Sequence, residues 1–322
     1  MKERAAVVTG GAGFIGSTLV DRLLSDGYSV TVIDDFSSGQ MENLENAKTV
    51  FGRDLNIEEI DVSSSSVSHL IADVAPEIVF HLAAQADVRR SVEDPIFDAE
   101  VNVLGTLRVL EGARLGDSRK VIMAASGGTL YGEPEPSQLP FSETLPANPL
   151  SPYGASKLAG GHYLSVYKHL YGMQTTALAL ANVYGPRQDP HGEAGVVAIF
   201  AGRLLRGESC TIFGTGEQTR DFVYVDDVVD AFISAASAAD LQICNIGTGL
   251  ETTVNELYQT MARTVGGTPE LLREPARLGE LDRSALDTSL ANQFLGWHAT
   301  TTLIEGIDKT LKWFATVERR ES

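Results

Sequence analysis

Tyr153 and Lys157 stand four residues apart in the stretch Ser151-Pro152-Tyr153-Gly154-Ala155-Ser156-Lys157. Ser151 suits a helix cap and Pro152 its first turn, so the phenol and the ammonium share one helical face. A free phenol ionises at about pH 10, too high for a base at neutral pH, but a neighbouring ammonium favours the phenolate. Such a pair can remove a hydroxyl proton while hydride leaves the same carbon for a nicotinamide. Tyr-x-x-x-Lys also occurs on helices that merely bury an aromatic ring. Position gives it weight here, because it follows the fifth of a series of strand patterns.

The second chemical signal is Gly10-Gly11-Ala12-Gly13-Phe14-Ile15-Gly16, which directly follows an apolar run and opens a helical pattern. Gly10, Gly13 and Gly16 permit a tight turn, close backbone approach to a pyrophosphate, and close packing of helix on sheet. The positive end of the helix dipole then faces the phosphates. The next strand pattern ends in Asp34-Asp35. A carboxylate there accepts hydrogen bonds from ribose hydroxyls and repels a 2′-phosphate, and no Arg or Lys follows before Lys48. The pattern selects NAD over NADP.

These residues need a scaffold, and the sequence outlines one. Apolar runs at 5–9, 29–33, 49–51, 77–81, 120–124 and 174–181 read as strands, with helical spacing between most of them, as at 15–25, 98–114 and 152–171. Strand–helix alternation implies an α/β fold: a Rossmann-type, doubly wound parallel sheet covered on both faces. The second half is less regular, with polar loops at 186–195 and 268–282. Between them lie an apolar stretch of helical period at 222–239, an apolar run at 242–246, and an amphipathic segment from Thr253. The expected organisation is a dinucleotide domain over 1–182, a smaller interleaved substrate domain over 183–322, and a return of about 222–248 to the first.

Composition excludes several classes of function. The 322 residues carry 25 Lys+Arg against 43 Asp+Glu, a net charge of −18, which disfavours nucleic acid and anionic membrane as partners. No apolar stretch approaches the roughly 18 residues of a membrane span, and the first residues do not read as a signal peptide. Cys210, Cys244 and the six histidines show no metal or redox spacing, so no metal is expected, and reduced thiols in a cytoplasmic protein are.

Thr9-Gly-Gly-Ala-Gly-Phe-Ile-Gly16, Asp54-Leu55, Phe80-His-Leu-Ala-Ala84, Asn102-Val-Leu-Gly-Thr106, Tyr153-x-x-x-Lys157, Asn182-Val-Tyr-Gly-Pro-Arg187 and Thr219-Arg-Asp-Phe-Val-Tyr-Val-Asp-Asp227 together resemble the extended short-chain dehydrogenase/reductases. The likeness runs over nearly the whole chain and is strongest to nucleotide-sugar epimerases of the UDP-glucose (UDP-galactose) 4-epimerase type. It implies a cofactor site of Gly10, Gly13, Phe14, Ile15, Gly16, Asp34, Asp35, Ser37, Ser38, Gly39, Asp54, Leu55, Leu82, Ala83, Ala84, Gln85, Asn102, Tyr153 and Lys157. Within it, Asp54 and Leu55 hold the adenine. It implies substrate contacts from Ser126, Thr129, Tyr153, Asn182, Val196, Val197, Thr211, Phe213, Arg220, Arg277 and Ser284, the arginines pairing with the diphosphate. Tyr153 and Lys157 would act with a hydroxyl, either Ser126 or Thr129.

Related dehydratases carry Asp and Glu where this chain has Gly128 and Thr129, and decarboxylating relatives keep a Glu at the latter. Without those acids the resemblance implies net epimerisation at C4. The resemblance implies UDP-glucose/galactose as substrate, with UDP-glucuronate or a dTDP-sugar as alternatives and a non-catalytic NAD-sensing protein as the rival of another class. It also implies that Ser284, at the position whose bulk governs the sugar pocket, leaves room for a 2-acetamido group. A homodimer formed through 98–114 and 152–171 is the expected assembly.

Overall fold

The computed structural model describes residues 4–190, 195–267, 269–276 and 281–321, with side chains through 317. Strands β1 (Ala5–Thr9), β2 (Ser29–Asp34), β3 (Leu55–Glu59), β4 (Ile78–His81), β5 (Lys120–Ser126) and β6 (Gln174–Leu180) alternate with helices. Seven shorter strands follow: β7 (Asn182–Tyr184), β8 (Cys210–Phe213), β9 (Thr219–Arg220), β10 (Phe222–Tyr224), β11 (Ile243–Ile246), β12 (Thr252–Thr253) and β13 (Leu271–Glu274). The central sheet has the order β11-β6-β5-β4-β1-β2-β3 with every neighbouring pair parallel. Read from β3, six of its strands follow the order of the doubly wound dinucleotide fold, and β11 extends it.

Alternation along the strands sorts side chains to the two faces. Val8, Phe80, Ile122 and Leu178 join one cluster with Leu19 and Leu23 of the helix Phe14–Ser25 and with Phe232 of the helix Val225–Ser237. Val7, Val79, Val121 and Ala177 join a second, with Ile71, Leu110 and Leu164 from helices on the opposite face. Both faces are dry, which is why these strands read as continuous apolar runs. A third cluster, centred on Tyr184, Phe200, Ile212, Leu257 and Ile307, lies among the later elements.

The return of the chain to the sheet is held by more than apolar contact. At the start of β5, Arg119 donates to the carbonyl of Ala236 and the fully buried Lys120 to that of Ala238, capping the end of the 225–237 helix. Asp227, near the start of that helix, accepts from the backbone N–H groups of Thr300 and Thr301, and its carbonyl accepts from the Trp297 indole.

Three expectations change. Residues 49–51 end the helix Glu45–Phe51 rather than forming a strand; the third strand is Leu55–Glu59. A three-residue β-branched and aromatic run is too short for its period to separate helix from strand. Residues 222–239 divide into β10 and the 225–237 helix. The 98–114 segment is three pieces: a helix Pro95–Ala99, one π turn over Glu100–Leu104, and a helix Gly105–Leu115.

Candidate active site

The strand order reverses between β1 and β4, and the loops leaving their carboxyl ends part there to form a crevice. The first loop needs glycine for space. A Cβ on Gly10 would lie 2.6 Å from the Ala83 nitrogen, and one on Gly16 only 2.0 Å from the Gly10 carbonyl oxygen. Gly10 also has φ +70°, a conformation other residues rarely adopt. Gly13 caps the helix Phe14–Ser25 with no side chain, so the helix N–H groups face the crevice bare. This cradle fits a pyrophosphate.

Asp34 is buried at the end of β2, and its two oxygens accept from the N–H groups of Ala12 and Phe36. Burial raises its carboxyl pKa while these donors act the other way. Gly39 returns beside it: a Cβ there would stand 2.7 Å from Asp34 Oδ1. Asp35, Ser37 and Ser38 are exposed, with Asp35 accepting from the backbone and hydroxyl of Ser37. The loop is ordered around a carboxylate with no described basic residue bonded to it, the charge pattern of an unphosphorylated ribose site.

Tyr153 lies in the first turn of the helix Pro152–Tyr171, whose start is capped by Ser151. A second hydroxyl, the buried Ser91, accepts from the Tyr153 N–H at 3.2 Å. Ser126, the last residue of β5, stands close enough to the phenol to favour its ionised form. Lys157, one turn on, is buried and donates to the Ala124 carbonyl at 3.1 Å. Thr129 presents a buried hydroxyl oxygen without a hydrogen-bond partner, and its backbone oxygen would be 2.8 Å from a Cβ on Gly154. Ser126 is therefore the hydroxyl that acts on the phenol, while Thr129 packs against Gly154.

The electrostatics correct one expectation. Burial pushes the Tyr153 phenol up to about 12, with Ser126 acting against it. Burial pushes the Lys157 ammonium down to about 8. In the protein alone the apolar surroundings decide, so the phenol is less acidic than normal.

The 82–85 loop and the helix bearing Tyr153 are tied by buried polar groups. Gln85 N–H donates to Asn102 Oδ1 at 3.0 Å, and Asn102 Nδ2 returns a bond to the Gln85 carbonyl at 2.9 Å. The same Nδ2 contacts Ser156 Oγ at 3.2 Å, and Asn102 lies in the π turn. His81, at the end of β4, is held between Thr9 Oγ1 at 2.7 Å and Thr106 Oγ1 at 3.0 Å. Its pKa is pushed down to about 3, first by burial and then by the charge of Lys157, so the ring is neutral at physiological pH. Leu82 and Ala83 both donate backbone N–H to the Thr9 carbonyl, and with Ala84 stay partly accessible beside the glycine turn.

The proposed substrate residues come from several segments. Asn182 is exposed at the start of β7. Thr211 and Phe213 share the partly exposed face of β8, opposite Cys210 and Ile212 in the core. Val196 keeps some surface, but Val197 is buried in the third cluster, leaving Val196 as the accessible member of that pair. Arg220 donates to the carbonyls of Thr219 and Leu281, which orient its guanidinium. Buried Ser284 opens the stretch that reaches Leu286, whose methyl carbon would be 2.4 Å from a Cβ on Gly127, next to Ser126. Arg277 lies outside the described residues.

Asp54 and Leu55 are misplaced by the sequence reading. They sit at the amino end of β3, the opposite end of the sheet from the glycine turn. The carboxyl end of β3 leads instead into Asp61 and buried Val62, immediately after Ile60 donates to the Asp34 carbonyl. The signal existed as a second Asp-aliphatic pair, but choosing it required the correct limits of β3. Three supporting residues were also missed: Ser91, Asp98 and Asp221. Asp221 is a buried carboxylate accepting from the backbones of Thr248, Gly249 and Leu286, and so joins the loops around Arg220 and Ser284.

Residues 6–247 match the NAD dependent epimerase/dehydratase family. The chain is 52% identical over 309 residues to a UDP-glucose 4-epimerase of Mycolicibacterium smegmatis, covering 96% of this chain and 97% of that one. Among solved structures it resembles the UDP-glucose 4-epimerase of Thermotoga maritima with UDP-glucose (TM-score 0.93, 43% identity, 98% and 99% of the two chains). It likewise resembles the Thermus thermophilus UDP-glucose 4-epimerase in complex with NAD (TM-score 0.89, 41% identity, 97% and 99%). The parallel sheet, the glycine cradle at its switch point and the Tyr153–Lys157 helix thus have a common origin: the chain belongs to the NAD dependent epimerase/dehydratase family.

Proposed function

We propose that this protein is a nucleotide-sugar 4-epimerase that interconverts UDP-glucose and UDP-galactose. The observation that carries the reading is the Tyr153–Lys157 helix set against the carboxyl end of β5, with Lys157 bonded to Ala124 and Ser126 close by, beside the crevice of the glycine turn. NAD would be held by the 10–16 turn, Asp34 and the 82–85 loop. Asp61 and Val62 stand at the strand end where Asp54 and Leu55 were expected. When bound, NAD supplies a reversible hydride acceptor for the sugar C4. Tyr153 takes the C4 hydroxyl proton and returns it after the 4-keto sugar has presented its other face. Lys157 favours the phenolate, and Ser126 keeps the shuttling oxygen in line.

Asn182, Arg220, Val196, Thr211 and Phe213 are assigned to the nucleotide diphosphate, and Ser284 to the sugar. Residues 1–182 with the returning 222–248 form the cofactor domain, and the remainder forms mainly the substrate domain. No described helix is long and apolar enough to cross a membrane, and buried free Cys210 and Cys244 suit a cytoplasmic protein. A homodimer is supported by exposed apolar residues on adjacent helices: Ile96 at 73%, Leu170 at 62% and Val166 at 44% of full exposure.

The test supplies UDP-galactose to the purified protein and follows UDP-glucose formation together with absorbance at the NADH band. Conversion without net NADH supports the reading; stoichiometric NADH identifies a dehydrogenase, and no conversion overturns it. Running UDP-N-acetylglucosamine in parallel tests the space at Ser284.

A further inference from the structure

We propose that Asp98 is a positioning residue of the reaction: its buried carboxylate anchors the Gln85–Asn102 pair beneath the catalytic helix and orients that helix's Tyr153 and Lys157. This inference rests on the epimerase reading above.

The geometry comes first. Asp98 is 1% exposed and precedes Asn102 by one turn, at the entry to the π turn. Its Oδ1 accepts from Gln85 Nε2 at 3.1 Å and from Asn102 Nδ2 at 3.0 Å. The Gln85 amide also donates to the Asp87 carbonyl, so one side chain bridges the loop to Asp98. Asn102 Nδ2 is shared among Asp98, the Gln85 carbonyl and Ser156 Oγ on the catalytic helix. A carboxylate is thus buried where a neutral acceptor would satisfy the same two amides. Burying a charge is costly unless something gains from it.

Lys157 is what gains. Its ammonium is destabilised by burial, and Asp98 is the charge that acts in the opposite direction. The same charge adds to the burial that raises the Tyr153 phenol. Among the described residues, the other titratable groups around the pair include His81 on β4, held neutral, and Tyr131, Glu143 and His162, which line a hollow of ≈ 200 Å³ beyond Lys157. Asp98 therefore keeps the lysine cationic at a buried site, and it sets the pH at which phenolate and ammonium coexist.

Asp98→Asn separates charge from geometry, because the amide retains an Oδ1 acceptor. Turnover of UDP-galactose by the NAD-loaded protein is measured from pH 5.5 to 10 beside wild type. Removing the negative charge lowers both pKa values, so the rising limb, which lies within this range, should move to lower pH by about half a unit or more. A merely structural role would reduce turnover at every pH and leave that limb in place, and that result overturns the proposal. Asp98→Ser, smaller and also uncharged, provides the same reading should the amide pack badly. If wild type itself does not epimerise, the functional reading fails; if wild type turns over and neither variant shifts the profile, only this inference fails.

Discussion

The Lys157 ammonium donates to the Ala124 carbonyl at 3.1 Å while lying 5.9 Å from the centre of the Tyr153 ring. The lysine is anchored to β5 and faces the tyrosine ring. Its influence consequently depends on its charge, which burial brings down to about 8. With the phenol raised to about 12 and the ammonium lowered to about 8, the phenolate–ammonium form grows as pH rises to about 8 and then stays constant, so turnover should climb to a plateau there. Lys157→Met should remove the plateau and lower kcat across the range. A wild-type profile that falls between pH 8 and 10 would contradict the role.

Tyr153→Phe removes the proton carrier and leaves its ring packing. General acid–base catalysis is worth about 100- to 10,000-fold, and kcat should fall by at least the lower figure. NAD should stay bound, since the glycine cradle is untouched. Nucleotide released on denaturation, measured by chromatography, checks this.

Gly10→Ala places a methyl group 2.6 Å from the Ala83 nitrogen at a residue with φ +70°. The contact is backbone to backbone, so the crevice must widen. The variant should lose stability by about 1–3 kcal/mol and purify with much less NAD. Gly27→Ala is the control, with open space at Cβ but a similarly positive φ of +80°. It should bear only the strain and keep its cofactor.

His81 is 2% exposed and holds a pKa of about 3 against an ordinary 6.5. The unfolded chain binds the proton more readily, so its contribution to stability declines as pH falls below 6.5. At pH 5.5 that loss is about 1.4 kcal/mol. The other described histidines are exposed. Urea melts at pH 7.5 and 5.5 should show the difference, and His81→Gln should be less stable overall but less sensitive to that pH step.

Val166 is 44% exposed on the 152–171 helix, on the apolar face assigned to the dimer. Val166→Glu should convert the assembly to monomer in light scattering, while Lys309→Glu, away from that helix, should not. Wild type running as a monomer would remove the assignment.

Gly10 to Gly16, Asp34 and the Tyr153–Lys157 pair were legible because each rests on local constraints. A turn needs glycine, a strand end needs a ribose acceptor, and four-residue spacing puts two side chains on one helical face. Asp54 failed for want of a strand boundary: an edge strand such as β3, partly exposed on both faces, carries little period to mark its limits. Asp98 and Ser91 were invisible for another reason. A buried acid and an ordinary serine announce nothing until the elements around them are packed.

The residue order alone determined the doubly wound sheet and the places of the glycine turn, Asp34 and the Tyr153–Lys157 pair on it, because these follow from short-range periodicity and steric rules. The tertiary structure decided which hydroxyl meets the phenol, which Asp follows β3 toward the crevice, and which way the phenol's acidity moves. Those outcomes depend on burial and on contacts between segments far apart in the chain, such as Ser126 with Tyr153 and Gln85 with Asn102. Desolvation, the largest force on the phenol, is a property of the packed site and of no single residue within it.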